Sequence, residues 1–158
     1  MESLIAEISI DVAATPGQVW RVLTEPALTR RYMFGCEPVT DWAVGSPLLW
    51  RGEAEGKAVV FVKGRVLAIE PGRYLQYTTF GEGMGLADEP GNYLTVTCQL
   101  EPLPGGRTRL RLSQGDFAQV ERGRERFEDS RAGWPGVAAQ IKALAEESLA
   151  EAPVDAGR

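Results

Sequence analysis

Tyr77, Cys36 and Cys98 stand out as reactive side chains in this sequence, because the chain contains no histidine at any position. That absence removes Ser-His-Asp and Cys-His sites, the HExxH zinc site, and the commonest general base near neutral pH. Any chemistry falls to carboxylates, Tyr, Lys, Arg or Cys. A tyrosine acting as acid or base would need its pKa lowered substantially from about 10. The cysteines lie far apart without CxxC spacing, so both are expected to be small apolar core residues rather than a disulfide or metal pair. Acidic residues are scattered, and no two fall convincingly on one inner face. Asp116, Glu37 and Arg65 lie in strand-like stretches and point either into a cavity or to solvent. Nearby Gly35, Gly64 and Gly115 leave their facing open. No catalytic residue, metal ligand or cofactor is assigned. "GEGMGLA" is only superficially like a nucleotide loop: its glycine spacing is wrong, GK[ST] is missing, and no βαβ unit surrounds it. It reads as a hairpin loop that could gate a pocket with Met84 and Leu86 as its apolar tips.

The elements that must position these side chains are legible from periodicity. Residues 4–12, "LIAEISIDV", alternate, with Leu4, Ala6, Ile8, Ile10 and Val12 on one face of a half-buried strand. Thr15 can cap a helix, Pro16 suits its first position, and Gln18 completes a capping box. Val19, Trp20 and Leu23 form its apolar stripe, and Pro26 ends or kinks it before a second short turn. From 32 to 116 the pattern is strand and turn, with Pro71-Gly72 and Pro104-Gly105-Gly106 as strong breaks. Short connections imply an antiparallel meander. Residues 118–133 are charge-rich and read as a solvated connection or first helical turns, with a lid or partner surface as the sharper alternative. Trp134, Val137, Ile141 and Leu144 then mark a helix to about residue 150, with Pro135 and Gly136 suiting its start. One domain over 1–150 and a frayed tail over 151–158 are expected. The resulting class is α+β: a curved antiparallel sheet of about seven strands, two short helices and a long C-terminal helix.

With 158 residues and 44% hydrophobic content, the chain can bury a real core. A net charge of -5 argues against a nucleic-acid partner. No secretory signal pattern opens the chain, and no apolar run approaches the roughly 18 residues that would span a bilayer, so no membrane insertion and a cytoplasmic location are expected. An exposed sheet edge would allow a homodimer.

Several stretches together resemble the START-like, or SRPBCC, helix-grip superfamily related to birch-pollen allergen. They are "ISIDVAATPGQVWRVLTEP", Tyr32, "VTDWAVGSPLLWRGE", "PGRYLQYTTF", "VTCQLEPLPGGRTRLRLSQGDF" and "GWPGVAAQIKALAE". Within it the chain is most similar to the group named after the activator of heat-shock-protein ATPase homologue. The resemblance covers about residues 4–150 and implies a helix-grip fold. It leaves activity open, because the superfamily hosts ligand carriers, polyketide cyclases and hormone receptors. It also implies only the C-terminal-type domain of that activator, with no room for a separate N-terminal one. A heat-shock ATPase is therefore not the expected partner.

Such a fold places an inner face of the sheet against the long helix. Met33, Trp50, Phe61, Leu75, Tyr77, Val96, Cys98, Leu110 and Leu112 are predicted to face inward from the sheet side. Trp134, Val137, Ile141 and Leu144 meet them from the helix. Met33 and Phe34, at the end of the helical corner, are the residues there expected to touch a ligand, whereas Trp20 reads as a structural anchor. These side chains either close-pack as a core or line a pocket for a small hydrophobic or amphipathic molecule. The alternatives are a cyclase-like enzyme in the same cavity and a co-chaperone-type interaction module. If Tyr77 faces inward, its hydroxyl needs a protein group, a water or a ligand as partner.

Overall fold

The computed structural model describes residues 3–156, with side chains described as far as residue 147. Seven antiparallel strands form one sheet: β1 (Ala6–Val12), β2 (Glu37–Val39), β3 (Pro47–Ala54), β4 (Lys57–Glu70), β5 (Tyr74–Gly81), β6 (Leu94–Leu103) and β7 (Arg107–Gly115). Their order is β1-β7-β6-β5-β4-β3-β2, so β1 and β2 are opposite edges although they are consecutive in sequence. Helices α1 (Pro16–Thr24) and α2 (Pro26–Thr29) carry the chain from one edge to the other. The meander then returns strand by strand until β7 pairs with β1. Helix α3 (Gly123–Ala156) covers the inner face. This is the expected α+β helix-grip architecture.

Local chemistry explains the corner. The Thr15 hydroxyl accepts from the Gln18 amide, and the Gln18 side chain accepts from the Thr15 amide, closing the capping box. Pro16 occupies the first turn, where its missing N–H costs nothing. Val19, Val22 and Leu23 are buried, while Trp20 is half-buried against the main core. The core is built from the inward positions of β3 to β7, from α1, and from Ala138, Ile141, Leu144 and Ala145 of α3. A smaller cluster of Ala6, Leu94, Phe117 and Val120 seals one end, and Trp134 packs against both clusters.

Two details depart from the sequence reading. α3 begins at Gly123, eleven positions before Trp134, so the charge-rich segment supplies the first helical turns that were one of its two readings, and the start does not fall at Pro135 and Gly136. Phe127 and Ser130 extend the inward stripe toward Trp134, with Phe127 edge-on to Phe117 at 6.1 Å between ring centroids. Pro135 is therefore internal to the helix. It lies on the exposed side, where water can satisfy the carbonyl that its missing N–H leaves free. The expectation of a frayed tail over 151–158 falls on side chains, and for 157–158 on backbone, outside the described residues.

The second departure concerns β4. Its register shifts twice, once opposite Trp50 and Arg51 and once between Val66 and Ala68. The extra residues are Phe61 and Leu67, and both point outward, 39% and 43% exposed. A bulge inserts one unpaired residue and reverses strand parity, which overturns the inward facing expected for Phe61. Between the bulges, β4 approaches β5 so closely that a Cβ on Gly64 would lie 1.7 Å from the Thr78 carbonyl oxygen.

Asp116, which follows β7, fastens the start of the chain. Its carboxylate accepts from the amides of Leu4 and Ala118, each at 2.8 Å, and the Phe117 amide donates to the Leu4 carbonyl. Those amide bonds hold the Asp116 carboxyl below its usual range, outweighing the opposing effect of burial.

Gly64→Ala is expected to lose about 3 kcal/mol of stability because backbone must move. Gly133→Ala, in open space on α3, should gain about 0.5–1 kcal/mol. Denaturant unfolding of both variants checks the contrast. A depressed carboxyl contributes stability above its ordinary value of 3.8 and loses it as pH falls through the lower folded-state value. Asp116→Ala should therefore destabilise the protein at neutral pH and leave it with a weaker acid dependence, measured as Tm against pH.

Candidate functional site

The inner face of the sheet brings Tyr77 of β5, Cys98 of β6 and Leu112 of β7 side by side, because Tyr77 is opposite Val96 and Cys98 is opposite Leu112. Trp50 of β3 leans toward Tyr77, their rings 6.0 Å apart and tilted by 45°. Ile141 and Trp134 descend from α3. Leu23, Tyr32 and Met33 close the side formed by the helical corner. Together these residues surround a space of about 20 Å³. That is room for one water molecule, which needs about 10–15 Å³. It is far below the roughly 300–1,000 Å³ of a ligand pocket. In this structure the interior is closed by its own side chains.

Two tyrosines reach this interior and differ in how they are satisfied. The Tyr32 hydroxyl donates to the Val22 carbonyl of α1 at 2.9 Å. Tyr77 is 6% exposed, and among the described residues its hydroxyl has no hydrogen-bond partner. Among the described residues no fully occluded side-chain oxygen or nitrogen lacks a partner, so the Tyr77 hydroxyl keeps some accessible surface, on a residue that lines the small space. Burial raises both phenols well above their ordinary value, so neither is poised as a base near neutral pH. The Cys98 thiol is pushed up to about 12 by the same burial and is a neutral, weak donor. Cys36, also buried and a free thiol, packs near Phe61 over Gly52.

The rim is less tightly held. Met33 and Trp134 are half-buried, whereas Leu23, Tyr32, Trp50, Tyr77, Cys98, Leu112 and Ile141 are buried. The Trp134 indole N–H donates to the Gln114 side-chain oxygen at 3.2 Å, and Ser130 donates to the same oxygen at 2.7 Å. Gln114 thus ties β7 to the first half of α3.

Of the residues expected to line a pocket, Met33, Trp50, Tyr77, Cys98, Leu112, Trp134 and Ile141 converge on this space. Leu110 is buried in the core and Val137 packs against it, without reaching the space. Phe34 turns away entirely. It takes a left-handed backbone, φ 55°, and is 92% exposed, because the chain reverses between buried Tyr32 and buried Cys36. Phe61 is outward for the bulge reason given above. Leu23 and Tyr32 line the space as well, and the signals that mark them in the sequence are the apolar stripe of α1 and the aromatic after α2. Met84 and Leu86 do not line the space. The Met84 carbonyl accepts from Arg122 at 3.2 Å, which links that loop to the start of α3.

The polar candidates all face elsewhere. Glu37 pairs with Arg51 at 2.9 Å and with Arg30 at 3.6 Å. Arg65 donates to the Gly45 carbonyl at 2.9 Å. A larger hollow of about 510 Å³ lies between Pro47, Leu49, Lys63, Thr78 and Tyr93, open to solvent. Its ionic groups are already engaged: Lys63 with Asp88 and Glu82, and Asp88 also with the Tyr93 hydroxyl at 2.7 Å. Among the described residues no group of three or more Cys, Asp or Glu side chains could hold a metal ion.

Comparison with known proteins places this geometry in a family. Residues 13–146 match the family described as activator of Hsp90 ATPase homolog 1-like protein. The solution structure of ChR145 from Cytophaga hutchinsonii is 32% identical, covering 95% of this chain and 99% of that one with a TM-score of 0.75. Two further structures share the fold. The Aha1 dimer from Colwellia psychrerythraea is 14% identical over 90% of this chain and 96% of that one, with a TM-score of 0.68. PFC0360w, an HSP90 activator from Plasmodium falciparum, is 18% identical over 71% and 72%, with a TM-score of 0.56. No curated protein matches the chain. The chain belongs to the activator of Hsp90 ATPase homolog 1-like family.

The two tyrosines generate a paired prediction. Tyr32→Phe removes a made hydrogen bond and should lower stability by about 1 kcal/mol. Tyr77→Phe removes a hydroxyl without a protein partner and should change the stability of the ligand-free protein by less than about 0.5 kcal/mol. Urea unfolding of the two variants beside wild type distinguishes them.

Proposed function

We propose that this protein binds a small hydrophobic or amphipathic molecule between the curved sheet and α3. The observation that carries this reading is the Tyr77 hydroxyl, without a protein partner on a residue deep in the fold that lines a space walled by aromatic, sulfur and aliphatic side chains. Buried polar groups are ordinarily hydrogen-bonded, and a bound molecule supplies the missing partner. Because the present space is about 20 Å³, binding requires it to widen. Met33 and Trp134 are the walls able to move, being half-buried while the others are fixed in the core. Burial of apolar ligand surface drives association at about 25 cal/mol per Å², reduced by ordering costs. A cytoplasmic setting suits the two free thiols. Among the described residues no helix is long and apolar enough to cross a membrane.

Family membership favours a second reading, an interaction module acting on an Hsp90-type ATPase, since PFC0360w is named an HSP90 activator. The Aha1 structure from Colwellia is a dimer, and the free edges of β1 and β2 offer this chain a route to a homodimer.

Freshly purified protein examined by native mass spectrometry, and then by thermal shift against lipophilic compounds, tests the primary reading. A retained small molecule or a ligand-dependent rise in Tm is expected, with Met33→Ala binding at least as well. No retained molecule and no shift across the panel, in wild type and Met33→Ala alike, would sink it. Unchanged ATPase turnover of an Hsp90 on adding this protein would remove the second reading.

A further inference from the structure

We infer that the interior selects an uncharged ligand bearing a hydrogen-bond-accepting oxygen, which seats against the Tyr77 hydroxyl. The inference rests on the ligand-binding reading above and adds to it the chemical class of ligand.

The side chains around the space include no Asp, Glu, Lys or Arg. Several cations of the neighbouring elements are engaged elsewhere. Arg107 and Arg109 pair with Asp11, Arg30 and Arg51 with Glu37, and Lys142 with Glu146. A carboxylate or phosphate pushed between sheet and helix would therefore lose its hydration without meeting a counter-charge, and an ammonium group would fare no better. Neutrality of the ligand follows from the absence of any group to compensate a charge.

The same inventory leaves one strong donor. The Tyr32 hydroxyl is spent on the Val22 carbonyl, and the Trp134 N–H on Gln114. Cys98 offers only a weak S–H. Tyr77 alone presents an unengaged O–H, deep among Trp50, Cys98 and Leu112. A ketone, ester or ether oxygen would accept from it. A pure hydrocarbon offers no acceptor and covers the hydroxyl without replacing the water within its reach, so it forgoes that gain. Tyr77 is thus a specificity-determining residue: apolar contact supplies affinity, and the single hydroxyl reads one polar atom.

The test uses octane, 2-octanone and octanoate, one carbon count carrying no oxygen, a neutral acceptor and an anion. Titration at neutral pH is followed by tryptophan fluorescence, since Trp50 and Trp134 form two of the walls. Tyr77→Phe should weaken 2-octanone about tenfold and leave octane binding no weaker. Wild type should bind octanoate roughly a hundredfold more weakly than 2-octanone. Equal loss of octane and 2-octanone in Tyr77→Phe, or no loss of either, would overturn the inference while leaving ligand binding intact. Octanoate binding as tightly as 2-octanone would do the same. Failure of all three to bind wild type would count against ligand binding itself and take this inference with it.

Discussion

The structure depends on one burial requirement: a sheet with an apolar inner face must be covered by the apolar stripe of a single helix. Everything else serves that contact. The α1–α2 corner exists because β1 and β2 occupy opposite edges, and it supplies Val19, Val22 and Leu23 as the flank of the cover. The bulges at Phe61 and Leu67 bend β4, and Gly64 allows it to lie against β5 without a side chain in the way. At the far end, the Lys142 ammonium donates to the Asp11 carbonyl at 3.2 Å, and Glu146 accepts from the Ala13 amide at 2.8 Å. These bonds fasten the second half of α3 to β1. The first half is held by Gln114 through Ser130 and Trp134.

That arrangement divides the cover into a firm part and a looser part. Around Ile141, Leu144 and Ala145 the helix is buried and tied by ionic groups. Around Trp134 it is half-exposed, tethered by a neutral hydrogen bond, and faced by half-buried Met33. The unpartnered Tyr77 hydroxyl lies beneath the looser part. That hydroxyl keeps some accessible surface and makes no bond within the protein, so it adds little to the packing of the core. Its presence beside the portion of the wall best able to yield connects the architecture to the proposed ligand binding.

The fold was legible in the sequence where periodicity was unbroken. Alternation over 4–12 and 107–115 gave strand facing directly, as Leu110 and Leu112 opposite Ile10 and Ile8 show. The capping box at Thr15 and Gln18 marked the first helix to the residue. Legibility failed at local reversals that pattern cannot display. A bulge turned Phe61 outward, and a left-handed residue turned Phe34 outward. The beginning of α3 stayed open between connection and helical turns because charge dominates 121–131, although Phe127 stands seven residues before Trp134 on the same face. The site was legible as a set of converging side chains, while the closeness of their packing depends on three-dimensional fit that no spacing records.

A crystal structure of the protein as purified, and again after soaking with a brominated neutral ketone, tests the central claim most directly. The account predicts ligand density within hydrogen-bonding distance of the Tyr77 hydroxyl, accompanied by outward displacement of Met33 or Trp134. An interior filled only by side chains in both crystals, with the Tyr77 hydroxyl bonded to a backbone carbonyl, would contradict it.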